Sequence, residues 1–296
     1  MFNLILLRYG ELFLKGRNRS GFEQKLIGNI KKKIPSIKIQ KTRNRLIIPY
    51  FPEHRNLTRI FGLVSYSPAV RVEKEINAVK DAAVRVTEFA AQSRKEAHGC
   101  GKETEKITFR VETKRSDKTF PVTSPEMNMN VGKFIEKRTS FQFSFGHPNI
   151  ILGIEINEQG AYIYFETFPC FGGLPVGVEG RALLLVENKA SILAGLLFMK
   201  RGGQVFPLSF AEKDISLLQE FSPIKLKLKK ISDFKECASF ARENNIDVLV
   251  SGQNFESLSG YDAGILILRP LISYPEEKIS GQIAKFSCTA CTWNCF

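Results

Sequence analysis

The sequence of 296 residues contains no long apolar run. Stretches such as Ile192–Met199 stop far short of the roughly 20 residues that a membrane helix needs, so no spanning segment is expected. The apolar run Leu4–Leu7 has no basic region ahead of it, meets Arg8 directly and leads to no small-residue cleavage site. It does not read as a signal peptide, and a cytoplasmic protein is the expectation. Internal repeats and low-complexity tracts are absent too, and with 43% hydrophobic and 25% charged residues nothing points to a disordered or fibrous chain. Acidic residues are scarce where basic ones gather. Residues 1–65 hold 14 Lys/Arg against 3 Asp/Glu, whereas 66–170 (15 against 14) and 171–296 (14 against 13) are nearly balanced. Almost all of the net charge of +13 therefore lies in the first segment, as expected of an electrostatic platform for nucleic acid. A merely solubilising surface would interleave both signs.

Cysteines number six, too unevenly placed for a disulfide framework. Cys100, Cys170 and Cys237 are scattered and carry no assigned role, while Cys288, Cys291 and Cys295 crowd the last nine residues as C-x-x-C-x-x-x-C. In a cytosolic chain that cluster points to metal binding or redox chemistry. A zinc site there lacks an obvious fourth ligand: His54, His98 and His147 all fall in the N-terminal half, which leaves Cys237.

At this length two or three domains are expected. In the first segment the pattern predicts a strand over Leu4–Leu7, then a helix with Phe22, Leu26, Ile27 and Ile30 on one face behind a capping box of Ser20 and Glu23. A strand over Leu46–Ile48, a short helix with Leu57, Ile60 and Phe61 stopped by Gly62, and a strand over Val64–Val72 complete a ferredoxin-like order. The middle segment predicts a helix from Asn77 to about Lys95, with Val79, Ala83, Val86, Phe89 and Ala90 on one face. It continues with a polar stretch His98–Lys106, a strand Ile107–Glu112, a helix capped by Ser124, and strands Ile150–Ile156 and Tyr162–Glu166 joined by a hairpin at Asn157–Gly160. Beyond a linker around Gly172-Gly173-Leu174-Pro175 and Gly177, strands alternate with helices: Ala182–Val186, a helix to Arg201, Val205–Phe210, Ile224–Leu228, a helix from Asp233 to about Asn244, Val248–Ser251, Ile265–Leu268 and a last helix near Glu276–Phe286. Such alternation implies a parallel sheet covered by helices.

Several of these stretches carry a family likeness. Arg8-Tyr9-Gly10-Glu11, Leu14-Lys15-Gly16, Arg19 and Phe22 resemble the opening signature of the ThiI-type tRNA sulfurtransferases, or 4-thiouridine synthetases, of archaeal type. Phe109-Arg110-Val111, Lys114-Arg115, Phe120-Pro121, Ser124 and Val131-Gly132 are similar to the THUMP domain that follows in that family. Gly172 to Gly177 with Gly180-Arg181 resembles its linker, and Leu268-Arg269-Pro270-Leu271-Ile272 a late motif of its catalytic domain. The resemblance implies an α/β chain with an α+β N-terminal half, arranged as a ferredoxin-like domain (1–65), a THUMP RNA-binding domain (66–171), a linker (172–181) and a Rossmann-like PP-loop ATPase-type parallel α/β domain (182–296). It implies tRNA as partner, held at the acceptor end, and ATP-dependent thiolation of uridine 8 with sulfur from a donor protein. Lys and Arg supply most phosphate affinity, so Arg8, Lys15, Arg17, Arg19, Arg43, Arg45, Arg110, Lys114, Arg115 and Lys118 are the candidate RNA contacts. A homodimer is compatible with the sequence.

The family's ATP site needs S-G-G-x-D-S between a strand and a helix, because glycines let backbone N–H groups close around phosphates at a helix N-terminus. Here the corresponding stretch is Val186-Glu187-Asn188-Lys189-Ala190-Ser191. Ser191 survives and Lys189 adds a positive charge, but both glycines are gone and Glu187 is negative. The expectation is a degenerate loop with ATP use in doubt; Gly252-Gln253 and Glu256-Ser257, in a loop after a strand, fall where the family contacts substrate or nucleotide. For Cys288, Cys291 and Cys295 the resemblance leaves an iron–sulfur cluster, a persulfide relay or a plain chain end open. Two functions follow: a tRNA thiolation enzyme, or a non-catalytic tRNA-binding scaffold whose third domain no longer uses ATP. A methyltransferase or deaminase with a borrowed THUMP domain is disfavoured, since G-x-G-x-x-G and H-x-E with P-C-x-x-C are both missing.

Overall fold

The structure, a computed structural model, describes residues 1–10, 16, 18–42, 45–98 and 106–288. In chain order its elements begin with β1 (Leu4–Arg8), α1 (Arg19–Lys33), β2 (Gln40–Lys41), β3 (Leu46–Pro49), β4 (Ser65–Val72), α2 (Ile76–His98), β5 (Thr108–Arg115) and α3 (Ser124–Arg138). They continue with β6 (Gln142–Phe143), β7 (Ile150–Asn157), β8 (Gly160–Tyr164), β9 (Phe168–Pro169), β10 (Arg181–Leu185), α4 (Lys189–Lys200) and β11 (Gln204–Ser209). The last are α5 (Ser216–Phe221), β12 (Lys229–Lys230), α6 (Phe234–Glu243), β13 (Val248–Val250), β14 (Leu266–Leu268) and α7 (Glu276–Ser287). Two compact units contain them: Met1–Leu7, Lys38–His54 and Tyr66–Phe168 form the first, and Arg8–Ile37, Arg55–Ser65 and the chain from Pro169 onward the second.

The first unit is built on a sheet in the order β2-β3-β1-β4-β8-β7-β5-β6. Antiparallel pairing of β4 with β8, Val70 opposite Ile163, makes the strands of the first and middle segments one sheet. One face is closed by α2 and α3, whose Val79, Ala83, Val86, Ala90, Met127, Val131 and Ile135 bury against Phe109, Val111, Leu152, Ile154 and Ile163. Alternation along a strand puts every second residue of β5 and β7 into this core and the others on the opposite face. The predicted helix face is corrected at one residue. Phe89 is 38% exposed, because it lies off the row of small residues, and its ring meets Phe2 and Phe165 instead. The cap of α3 also moves: Thr123, not Ser124, is the N-cap, in a reciprocal capping box with Glu126. The β7–β8 hairpin turns over Glu158-Gln159, as its Asn157–Gly160 pairing requires.

The second unit contains a fully parallel sheet in the order β12-β11-β10-β13-β14. Strand order reverses direction between β10 and β13, which opens a crevice at their carboxyl ends. The predicted strand Ile224–Leu228 is displaced to Lys229–Lys230; Leu226 buries in the core, and the lysines that follow make the pairing with Leu208 and Ser209. Helix α1 belongs to this unit. Its predicted Ser20–Glu23 capping box is absent: Asn18 is the cap, without a side-chain bond, and Glu23 turns inward to accept from Tyr9 Oη at 3.0 Å and Arg19 Nε at 2.7 Å. A buried carboxylate needs such partners more than a helix end needs a cap.

At its other end α1 is tied down by Asn29, which donates to the Val176 carbonyl at 3.0 Å, and by Lys33, which donates to the carbonyls of Gln219 and Glu220 at 3.1 and 2.5 Å. Phe61 stacks on Phe221 at 5.1 Å in the same core. Phe61→Ala is expected to lower stability by about 3–5 kcal/mol, measurable by denaturant unfolding. Burial pushes the Lys33 amine down to about 8 from an ordinary 10.5, so the folded state loses that proton first. Between those two values stability gains from rising pH at this site, and below about 8 the cost of the buried charge is fully present. The melting temperature of the wild type relative to Lys33→Met should therefore climb across that window, and a flat difference would contradict it.

Candidate functional site

In the first unit the residues that the sequence marks as cationic meet at a cleft of about 210 Å³. Arg45, just before β3, and Lys114 and Arg115, from the end of β5, line it together with Thr42, Ser116, Glu155, Asn157 and Gln159. The β5–β7 register puts Lys114 opposite Glu155 on the face turned away from α2 and α3. Glu155 stands in an otherwise apolar strand and is buried; its carboxylate accepts Arg45 Nε at 2.9 Å and Tyr164 Oη at 3.2 Å. Tyr164 reaches it by lying across Gly153, where a Cβ would come within 2.4 Å of the ring. Lys114 is exposed at the rim, whereas Arg115 reaches back to the carbonyls of Phe120 and Val122 at 2.6 and 3.0 Å and braces the turn before α3. Lys118 is exposed beside Asp117, whose carboxyl is held down at about 2 by hydrogen bonds from Lys74 and Thr119.

Other candidates do different work. Arg110 pairs with Glu112 at 2.6 Å and binds the Phe145 carbonyl at 3.0 Å. In the second unit Arg19 pairs with the buried Glu23, and Arg8 is half-buried at the end of β1, its carbonyl taking the Val64 N–H at 2.8 Å. Arg59 and Lys33, counted in the basic first segment, are engaged with Glu220 and backbone carbonyls. The charge excess is thus partly internal, and it is shared between both units. Lys15, Arg17 and Arg43 lie outside the described residues.

The degenerate loop sits at the strand-order reversal of the second unit, closed by its own side chains. Asn188 caps α4 by accepting the Ser191 N–H at 3.2 Å, and the buried Ser191 hydroxyl accepts the Glu187 N–H at 3.1 Å. Gly252, at the end of β13, approaches so closely that a Cβ there would lie 2.3 Å from the Ser191 nitrogen. Glu187 accepts Tyr261 Oη at 2.6 Å; burial and this bond push the phenol up to about 12, so it remains a donor. A polar chain continues outward: Arg269 donates to Gln253 at 3.0 Å and to the Ser259 carbonyl at 3.3 Å. Lys189 is exposed and takes no part in it. The N–H groups of Glu187 and Ser191 are thus committed to side chains of the loop itself, both family glycines are missing, and a carboxylate stands beside them. This set does not fit the phosphates of ATP.

Of the cysteines, Cys237 is buried in an apolar cluster and Cys170 lies against the Leu57 carbonyl; burial pushes both thiols up, away from the reactive thiolate. Cys288 is exposed at the C-cap of α7. Cys291 and Cys295 lie outside the described residues, and among the described residues no group of three or more His, Cys, Asp or Glu is placed to hold a metal.

Comparison with known proteins sharpens this picture. Residues 4–67 match the ThiI ferredoxin-like domain and residues 73–166 the THUMP domain. The chain is 37% identical over 219 residues to a probable tRNA sulfurtransferase of Moorella thermoacetica, covering 71% of this chain and 53% of that protein. It is 34% identical over 251 residues to the corresponding protein of Natranaerobius thermophilus, covering 81% and 57%. The chain thus spans about half the length of these curated relatives. Among solved structures, PH1313 from Pyrococcus horikoshii superposes with a TM-score of 0.83 at 29% identity, over 97% of this chain and 100% of that one. A 4-thiouridine synthetase in complex with RNA and ATP gives 0.78 at 23% identity, over 97% and 85%, a likeness of fold.

The cleft separates two roles that the sequence does not distinguish. Arg45→Gln leaves a buried carboxylate short of its charged partner and should lower stability by about 1–3 kcal/mol. Lys114→Gln should leave the unfolding midpoint unchanged, and a comparable loss there would make Lys114 a packing residue.

Proposed function

The chain belongs to the ThiI-type tRNA sulfurtransferase family, and on that premise we propose that it binds tRNA through its ferredoxin-like and THUMP domains and serves the formation of 4-thiouridine at uridine 8. The reading rests above all on one observation: a single sheet carries strands of both domains and sets Arg45 from one beside Lys114 from the other at the same cleft. Phosphate oxygens are the groups such a cationic rim recognises, and they position an RNA without reading its bases. The acceptor end is the part of the tRNA assigned to this surface. A protein that hands on sulfur is the further partner this function requires.

A second reading is favoured by the strand-end crevice. Its loop lacks the family's glycines and bonds to itself through Asn188 and Ser191 beside the Glu187 carboxylate, which supports a third domain that supplies a folded surface while the protein presents tRNA without adenylating it. Sulfur chemistry at Cys288, Cys291 and Cys295, as a relay or on a metal cluster, belongs to the first reading and is a proposal only.

Binding of transcribed tRNA measured between about 50 and 200 mM salt tests the shared part. Wild-type affinity should fall steeply with salt, and Lys114→Gln should reduce the slope by about one. An unchanged slope would remove Lys114 from the interface. Incubation with tRNA, ATP and a sulfur source then divides the readings: release of AMP or pyrophosphate with thiolated uridine supports the enzyme, and tRNA binding without turnover supports the scaffold.

A further inference from the structure

Phe145 is 81% exposed, more than any other large apolar side chain among the described residues. A single exposed apolar residue needs no explanation by itself. This one, however, is held in place. Its ring meets Phe143 edge-on at 4.7 Å, and Phe143 meets the core residue Phe109 edge-on at 5.9 Å. Its carbonyl accepts from Arg110 Nη1, and the preceding Ser144 N–H binds the Phe109 carbonyl at 2.9 Å. Arg110 is fixed in turn by Glu112, and its Nε is buried without an acceptor among the described residues. That desolvation is a cost an incidental turn would not carry.

The surroundings indicate what the ring could receive. Ile151, 43% exposed, lies opposite Arg110 in the β5–β7 register and on the same face. Lys114 stands four residues further along β5 on that face, roughly 13 Å away by strand rise. On the other side α3 meets Phe143 through Gly132 and Glu136, and the adjoining Lys133 and Lys137 are exposed. A held, exposed aromatic face with lysines on the adjoining strand and helix is the chemistry that takes an unpaired nucleobase, the ring stacking on the base while ammonium groups meet the backbone. A protein partner would call for a broader apolar surround with few charges.

We infer that Phe145 is the stacking platform for an unpaired base of the single-stranded 3′ end of the bound RNA, with Lys114 on a neighbouring phosphate and Arg110 as the residue that positions the ring. The inference rests on the tRNA-binding reading above and adds to it the group that contacts a base.

The full chain is tested against two RNA stem-loops with the same stem, one ending in an unpaired 3′ overhang that carries 2-aminopurine, the other blunt. Phe145→Ala should weaken binding of the overhang RNA roughly tenfold and leave the blunt RNA unaffected, while Phe145→Tyr keeps wild-type affinity. The 2-aminopurine emission should be quenched by the wild type and by Phe145→Tyr, and not by Phe145→Ala, whose thermal melting matches the wild type because the ring is exposed. Binding of both RNAs with no effect of Phe145→Ala, or quenching that survives it, overturns the inference alone. Failure of the wild type to bind either RNA overturns the tRNA-binding reading and the inference together.

Discussion

The pairing of β4 with β8 is the contact on which the cationic cleft depends. Strands far apart in sequence are joined there in antiparallel register, Val70 opposite Ile163 and Val72 opposite Ala161. A ladder of this kind fixes register as well as proximity, since a slip of one residue would turn every side chain to the other face. With the register set, Arg45 reaches Glu155 and Lys114 shares their cleft. None of these three residues is a neighbour of another in the chain. The surface is therefore a property of the joined sheet, and neither the ferredoxin-like nor the THUMP strands would form it alone.

Charge in this protein divides into what holds the structure and what faces water. Lys33, Arg19, Arg45 and Arg59 are each committed to a carboxylate or to carbonyls, and the Lys33 amine is depressed by its burial. Lys114, Lys118, Lys133 and Lys137 remain exposed. Cations of the second kind can displace the counterions condensed on a nucleic acid's phosphates, whereas those of the first cannot leave their partners without leaving a buried polar group unpaired. The strand-end crevice follows the same logic with opposite outcome. The N–H groups of Glu187 and Ser191 and the Ser191 hydroxyl bond within the loop, at the end of the sheet where the strand order reverses.

Much of the architecture was legible in the sequence. The alternation of strands and helices after Gly180 announced a parallel sheet, and the small apolar row Val79, Ala83, Val86 and Ala90 announced the buried face of α2. Elements defined by periodicity survived because burial enforces the same period. What failed was local: a capping box at Ser20 gave way to a buried Glu23, a cap at Ser124 moved to Thr123, and Ile224–Leu228 docked its side chains without joining the ladder. In each case a short pattern competed with a tertiary contact that had more to gain. The role of Glu155 had a signal that was missed, a lone acid in the run Ile150–Asn157, which implies a partner brought from elsewhere.

The sequence by itself determined the family, the class of each half and the loss of the phosphate-binding glycines, because these depend on residue type and local order. Only the tertiary structure decided which of the many cations are available to a ligand, which buried polar groups hold one another, and that Phe145 stands exposed on a turn held by Arg110 and Phe143. The reason is that composition counts charges and rings, while their availability depends on pairing and burial between residues far apart in the chain. Such pairing is fixed by strand register and core packing, and no window of sequence contains both partners.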